Sequence, residues 1–546
     1  MCVYLLNFIN MKKFLEMMKQ VQHDKYLTAL WILCGIALFF YVGHFGSILI
    51  DFGREVYYPV RILEGKVLYK DLFVIYGPFS YFLNALLFKI MGINLKTLYF
   101  AGIFCSFAII TGNFLIAREF LSEFLSFCIG VLTITVGVAT SVLFNFSFPY
   151  SWAMLYGTVC FLYSVLFLVK YKRGGRQEFL YLSAFLAGVC VTCKYEFAAY
   201  GLIFLVFARS WKALAAFAAA PVLSFGVLFL QGLSLSDLSA SLHIVKKMAQ
   251  TQTLKYFYQT VGVYFHPKVV LILAKTFMTA AVSFLSLFLY YKKKWLIVPA
   301  IALCAWALTG TLNLTLVFLP ILIFVFAAAS FEKFKTDIAL LFLVLSAIVV
   351  SLKSFWGLLL LSYASYYAGF ALIALLALLF RYVPEKYQKL AGVYLLMLAG
   401  ILVILNSNHY NEKITTPRGT IYTSEGLGKA SNELISYINE NTKPDERVVI
   451  FPEGMIINFL ADRKGDDYYN SLIPLYVETF GEDKIVEHFV RTRPEYIVFS
   501  DTSMKDYSFN TICNDYALGL CSFTAENYTL ERVIDHGNRF LVYKRK

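Results

Sequence analysis

Apolar residues in this chain fall in long unbroken runs separated by short polar breaks, rather than on one face of a surface helix or on alternate positions of a strand. Runs that read as membrane helices occupy residues 26–50, 98–117, 124–143, 150–170, 179–193, 195–207, 213–231, 268–290, 295–310, 313–330, 337–350, 356–380 and 390–406. The pattern predicts a polytopic α-helical membrane protein with about thirteen transmembrane helices, filling residues 1–408. The first run is too long for the core of a signal peptide and lacks a small-residue cleavage site, so it reads as an anchor.

The short breaks at 170–176, 209–212, 292–294, 332–335 and 381–389 are rich in Lys and Arg, which orients them toward the cytoplasm. For all five to share one side, the moderately apolar segment 77–92 has to be an amphipathic helix lying in the interface. Residues 51–96 then form a long first extracytoplasmic loop. The short pair 179–193 and 195–207 becomes a hairpin with Lys194-Tyr195-Glu196 at its tip. Residues 232–267, with His243, Lys246, Lys247, Lys255 and His266, form another outer loop that reads as solvated or as a contact for lipid headgroups.

Composition sharpens this picture. Fifty-nine percent of the 546 residues are hydrophobic and 15% charged, which excludes an ordinary soluble domain. The net charge of +13 lies largely in the breaks, where it sets topology, so it does not argue for a nucleic-acid partner. From about residue 409 the chain turns polar and mixed. A helix at 430–439, a strand at 447–451 followed by Pro452-Glu453-Gly454, a helix at 483–490 and strands at 496–500 and 539–543 predict a small C-terminal extracytoplasmic α/β domain, residues 409–546. Cys513 and Cys521 lie in it, and a bridge between them suits an oxidising side of the membrane. Cys190-Val191-Thr192-Cys193 has metal spacing but no second pair. Gly426-Leu427-Gly428-Lys429 lacks the full phosphate-loop spacing and reads as a helix start.

Candidate chemistry gathers in the first outer loop. Asp51 ends the first apolar run, where a carboxylate is costly unless it has work to do. Arg54, three residues on, meets Asp51 if the loop begins as a helix, and Glu55, Lys70 and Asp71 follow. Moving a sugar from phosphate to a hydroxyl needs a base for the hydroxyl proton and cations for the departing phosphate, and these residue types supply both. The same spacing also fits an interfacial ion pair that merely caps the span. Lys194 and Glu196 interrupt an otherwise apolar stretch, either as a site at membrane depth or as a mutual pair at the hairpin tip.

The arrangement Asp51-x-x-Arg54, Gly65-x-x-x-Tyr69-Lys70-Asp71 and Tyr76-Gly77-Pro78-x-x-Tyr81 resembles the first extracytoplasmic loop of the GT-C superfamily. It is most similar to the branch of protein O-mannosyltransferases and lipid A aminoarabinose transferases. The resemblance implies Asp51 as catalytic base, with Arg54 and Lys70 at the phosphate of a polyprenyl-phosphate-linked sugar and Lys194 as a further phosphate partner. It leaves Glu55, Asp71 and Glu196 as substrate-binding candidates. It implies one-step inverting transfer to an envelope glycan, lipid or protein at the outer face of the plasma membrane. No cofactor is implied beyond the lipid-linked donor, and no ligand set for a metal stands out, although paired outer carboxylates could hold a divalent cation. Many relatives carry a second acid in the next outer loop, where this chain has Asn145-Phe146-Ser147-Phe148-Pro149-Tyr150. The alternatives are a lipid or polysaccharide transporter or flippase, and a non-enzymatic polysaccharide-assembly subunit.

Overall fold

The computed structural model describes residues 24–262, 274, 316–358, 361–381, 383–406 and 410–546. Five of the described helices are long and apolar enough to cross a membrane: Leu95–Arg118, Trp152–Lys172, Trp211–Leu230, Ile338–Trp356 and Glu385–Leu405. Shorter apolar helices accompany them, among them Lys25–Tyr41, Glu123–Gly137, Gln177–Cys193 and Ala364–Leu379. Polar side chains start many of these helices by accepting the N–H groups that the first turn leaves free: Asp24, Asn94, Ser122, Ser151, Ser210 and Asp337 each do so. The runs expected at 268–290 and 295–310 lie outside the described residues.

Three expectations need correction. The first apolar run is not one helix. Its helix stops at Tyr41 and residues 42–50 form an irregular passage, because this stretch bonds elsewhere: Phe45 N–H donates to the Tyr422 carbonyl and Tyr422 N–H to the Gly43 carbonyl. The run expected from residue 356 begins as a helix only at Ala364, after a 3-10 turn at Leu352–Trp356. The outer loop after residue 232 carries two helices, Leu235–Ala249 and Gln252–Val261. The segment expected to lie in the interface is helical, at Phe79–Met91.

The C-terminal segment opens with an antiparallel hairpin, β1 (Glu412–Thr416) and β2 (Gly419–Thr423). A four-stranded sheet follows in the order β3 (Val448–Phe451), β4 (Tyr496–Ser500), β6 (Arg539–Arg545), β5 (Tyr528–Asp535), with β3 and β4 parallel and the other pairs antiparallel. The two-residue strand period divides β3 and β4 cleanly. Val448, Ile450, Tyr496 and Val498 join the large apolar core that runs on into the membrane helices. Val449, Phe451, Ile497 and Phe499 face a second core with Leu472, Phe480 and Phe73 of the first loop. A disulfide joins Cys513 and Cys521.

The first-loop helix Phe52–Leu63 is fastened along its length to residues 453–471. Arg61 grips Asp467 with two nitrogens at 2.6 and 2.9 Å, the Tyr57 hydroxyl accepts from Gly465 N–H at 2.9 Å, and Tyr58 exchanges hydrogen bonds with Asn470. Gly53 lets the backbone of the Met455–Ala461 helix come close: a Cβ there would lie 2.5 Å from the Ile456 nitrogen and 2.6 Å from Met455 Cβ. Gly53→Ala should therefore overpack this contact at about 1–3 kcal/mol and lower the melting temperature of the detergent-solubilised protein. Gly35→Ala, where a Cβ meets nothing within 4 Å in the first helix, should not; equal melting curves for the two variants would contradict this account of the contact.

Candidate active site in the first outer loop

Asp51 occupies the N-cap position of Phe52–Leu63 but makes no capping hydrogen bond. Its backbone sits at φ +64°, a conformation that residues with a Cβ adopt rarely and at a cost of about 1–3 kcal/mol. Two contacts hold it there. Its N–H donates to Oε2 of Glu453 at 3.0 Å, and its Oδ1 accepts from Nη2 of Arg54 at 3.3 Å. The Asp51 side chain keeps 30% of its surface exposed, whereas that of Arg54 keeps 7%.

Arg54 is thus a nearly enclosed cation, met by carboxylates, a carbonyl and a ring. Nε donates to Glu55 at 3.1 Å, Nη2 also reaches the Tyr150 carbonyl at 3.4 Å, and the plane lies 4.9 Å from the centre of the Tyr76 ring. Glu55 is fully buried, and both oxygens are taken: one by Arg54, the other by the Trp152 N–H at 3.1 Å, where a negative charge also suits the N-terminus of the Trp152–Lys172 helix. The Tyr81 hydroxyl, on the Phe79–Met91 helix, is buried and has no hydrogen-bond partner among the described residues.

Tyr76 carries the site across to the hairpin. Gly77 N–H donates to the Cys193 carbonyl at 3.0 Å, and a Cβ at Gly77 would lie 1.9 Å from the Thr192 carbonyl oxygen, so only glycine allows this approach. Lys194, at the expected hairpin tip, then lies 4.8 Å from the Tyr76 ring centre and donates to the Tyr150 hydroxyl at 2.6 Å. Glu196 is 3.6 Å from Lys194 and 3.3 Å from Lys353, and accepts from the Tyr367 hydroxyl at 2.8 Å. Both members of the tip pair are largely enclosed, and a second lysine joins them. Asp51, Arg54, Glu55, Lys194 and Glu196 therefore meet. Lys70 and Asp71 stand elsewhere: Lys70 is exposed and donates to the Gly232 carbonyl at 3.2 Å, and Asp71 accepts from Val67 N–H within its own turn.

Two residues of the assembly were missed in the sequence. Lys353 follows the apolar run 337–350, where a cation at a helix end was itself the signal. Glu453 lay in a Pro-Glu-Gly turn that nothing local distinguishes. It is 5% exposed and accepts from the Ser471 hydroxyl at 2.7 Å as well as from Asp51. A narrow crevice with room for about one water lies beside it, lined by Tyr58, Phe73, Tyr468, Tyr476 and Phe480 and reaching Arg54 and Ser471.

Burial, and then the neighbouring Asp51 carboxylate, push the Glu453 carboxyl up to about 7, against the hydrogen bonds from Ser471 and Asp51 N–H and the charge of Arg54. A carboxyl raised in the folded state is most favourable to stability below its ordinary value of 4.5, and that contribution is lost as pH rises through about 7. The melting temperature of Glu453→Gln should therefore gain on that of the unsubstituted protein as pH rises across this window; parallel curves would mean that the carboxyl is not raised.

No protein-family model matches the chain, and no curated protein matches it. Among solved structures it is similar to the oligosaccharyltransferase of Archaeoglobus fulgidus in complex with zinc and sulfate, at 13% identity and a TM-score of 0.46 over 87% of this chain and 67% of that one. The same archaeal enzyme tethered to an acceptor peptide with the NVT sequon gives 13% identity and 0.48 over 93% and 72%. ArnT from Cupriavidus metallidurans bound to undecaprenyl phosphate gives 12% and 0.42 over 95% and 97%. The likeness is distant, every score lying below 0.5, and the site described above stands on its own geometry.

Proposed function

We propose that the protein is a membrane glycosyltransferase that moves a sugar from a polyprenyl-phosphate donor to an envelope acceptor at the outer face of the plasma membrane. The observation that carries this reading is the pairing of a half-open carboxylate, Asp51, with Arg54, whose Tyr76 neighbour is shared with Lys194. In this reading about thirteen helices cross the bilayer and the C-terminal α/β domain lies outside, where its disulfide suits an oxidising compartment.

The reaction is a single displacement. The acceptor hydroxyl oxygen bonds to the anomeric carbon while its proton passes to Asp51. The bond from that carbon to the phosphate oxygen breaks on the opposite face, its electron pair leaving with the phosphate, so the configuration inverts. A phosphodiester becomes a monoester and gains one negative charge, which Arg54, Lys194 and Lys353 are disposed to stabilise. Arg54 offers paired donors to phosphate, and the two lysines act as point charges. Glu55 and Glu196 hold these cations in position and keep the cluster near neutrality before the donor enters.

Asp51→Asn keeps the size of the side chain and removes the base, so donor-dependent transfer by the purified protein should fall by about 10²–10⁴-fold while membrane insertion is retained. Arg54→Ala and Lys194→Ala should raise the donor requirement more than Lys70→Ala does. Turnover in Asp51→Asn close to that of the unsubstituted protein would remove the proposed base. Lipid translocation without any transfer would favour a flippase.

A further inference from the structure

Asp51 heads a helix without capping it. Two other aspartates start helices in the described chain, and both cap them: Asp24, at φ −83°, accepts from the N–H groups of Tyr26 and Leu27, and Asp337, at φ −90°, accepts from that of Leu340. Asp51, at φ +64°, accepts no N–H of its own first turn. Its carboxylate is left for Arg54 and for solvent.

The difference lies in what holds the backbone. An acid three residues into a helix commonly answers the N–H of the residue at its start, and the chain does this at Ser234, whose N–H donates to Asp237 at 2.9 Å. The third position after Asp51 is Arg54, which has no acceptor. The Asp51 N–H donates instead to Glu453 at 3.0 Å, 402 residues along the chain. Both ends of that bond are fixed. Glu453 is buried and its other oxygen accepts from the Ser471 hydroxyl at 2.7 Å, while the helix that begins at Met455 packs against Gly53.

Without that anchor the favoured conformation is the ordinary one. A swing of Asp51 to negative φ removes the backbone strain and brings its carboxylate to the N–H of Gly53 or Arg54, the second and third positions of the helix. A carboxylate so bound is stabilised as the anion and is a weaker base, and its oxygens are turned away from an incoming hydroxyl. Capping and proton abstraction therefore compete for one side chain.

Resting on the transferase reading above, we propose that Glu453 is a positioning residue: by holding the Asp51 N–H it keeps the base from capping its own helix and leaves the carboxylate free for the acceptor hydroxyl. The C-terminal segment then supplies part of the transfer machinery through a residue that touches neither donor nor acceptor.

Two substitutions separate this role from a merely structural one. Glu453→Gln keeps an oxygen for the Asp51 N–H, and Glu453→Ala removes it. Each variant is purified as the full chain in lipid nanodiscs. Release of undecaprenyl phosphate is followed from a panel of undecaprenyl-phosphate-linked hexoses and pentoses, with an extract of envelope glycans and glycolipids as acceptor. Glu453→Ala should lower kcat by about tenfold or more, the scale of a slightly misplaced reacting group, while the donor KM stays within about twofold and so shows that the fold survives. Glu453→Gln should keep kcat within about threefold. Amide exchange resolved to Asp51 by mass spectrometry should quicken in Glu453→Ala and not in Glu453→Gln. The proposal is overturned if Glu453→Ala turns over as the unsubstituted protein does, if kcat and donor affinity fall together, if Glu453→Gln loses as much as Glu453→Ala, or if the Asp51 amide exchanges alike in all three. Should the unsubstituted protein release no undecaprenyl phosphate while the exchange pattern holds, the transferase reading falls and takes the role in transfer with it, and only the anchoring contact stands.

Discussion

A guanidinium taken out of water at Arg54 is the constraint around which the first loop is built. An enclosed cation is tolerated only when opposite charge and hydrogen-bond acceptors answer it, and removing one partner of such a pair typically costs about 3–5 kcal/mol. Here Asp51, Glu55, the Tyr150 carbonyl and the Tyr76 ring do so together. Each belongs to a different task. Asp51 starts the helix, Glu55 ties it to the N-terminus of the Trp152–Lys172 helix, and Tyr76 leads to Lys194. One cation therefore links three segments, pairing with a carboxylate at 3.3 Å and sharing the Tyr76 ring with a lysine.

The C-terminal segment is part of that arrangement rather than a separate appendage. The large apolar core runs without a break from Leu30 and Phe114 to Ile414, Leu434 and Ile450. Arg61 and Asp467, Tyr57 and Gly465, and Tyr58 and Asn470 add polar fastening along the first-loop helix. Burial gives the contact its strength, and the polar pairs, each specific in direction, set where along the helix it forms. Their joint effect is to present Glu453 to the backbone of Asp51, holding an unfavourable φ that the helix start alone would not maintain.

Much of this was readable along the chain, for a physical reason. The pairing of Asp51 with Arg54 is a local spacing on one helix turn, and the hairpin tip at Lys194 is a charged interruption of an apolar run. The strand at 496–500 announces itself by composition. What escaped depends on contacts between distant residues. Glu453 lies 402 positions from Asp51 and stands in a turn like any other. Lys353 gains its meaning only when the Lys194 hairpin reaches it. The stretch 42–50 is apolar enough to be counted as helix, but Gly43 and Phe45 give their backbone groups to Tyr422 instead, which hydropathy cannot register.

The passage from Asn145 to Tyr150 is shaped by the same geometry. Asn145 spends its side chain inside its own turn: its oxygen accepts from the N–H groups of Ser147 and Phe148, and its nitrogen donates to the carbonyls of Val142 and Phe148. It is fully buried and builds the loop that sets Tyr150 over Arg54 and Lys194. A buried carboxylate, Glu453, reaches Asp51 from the C-terminal segment, with its burial relieved by Ser471. Of the carboxylates around Arg54, Glu55 has both oxygens occupied and Glu453 has each engaged once. Among the described residues, only Oδ1 of Asp51 has a protein donor, and its side chain remains the most exposed of the three. Among the described residues, solvent access and a carboxylate oxygen without a protein donor thus coincide at Asp51, whereas Glu453 is buried with both oxygens engaged.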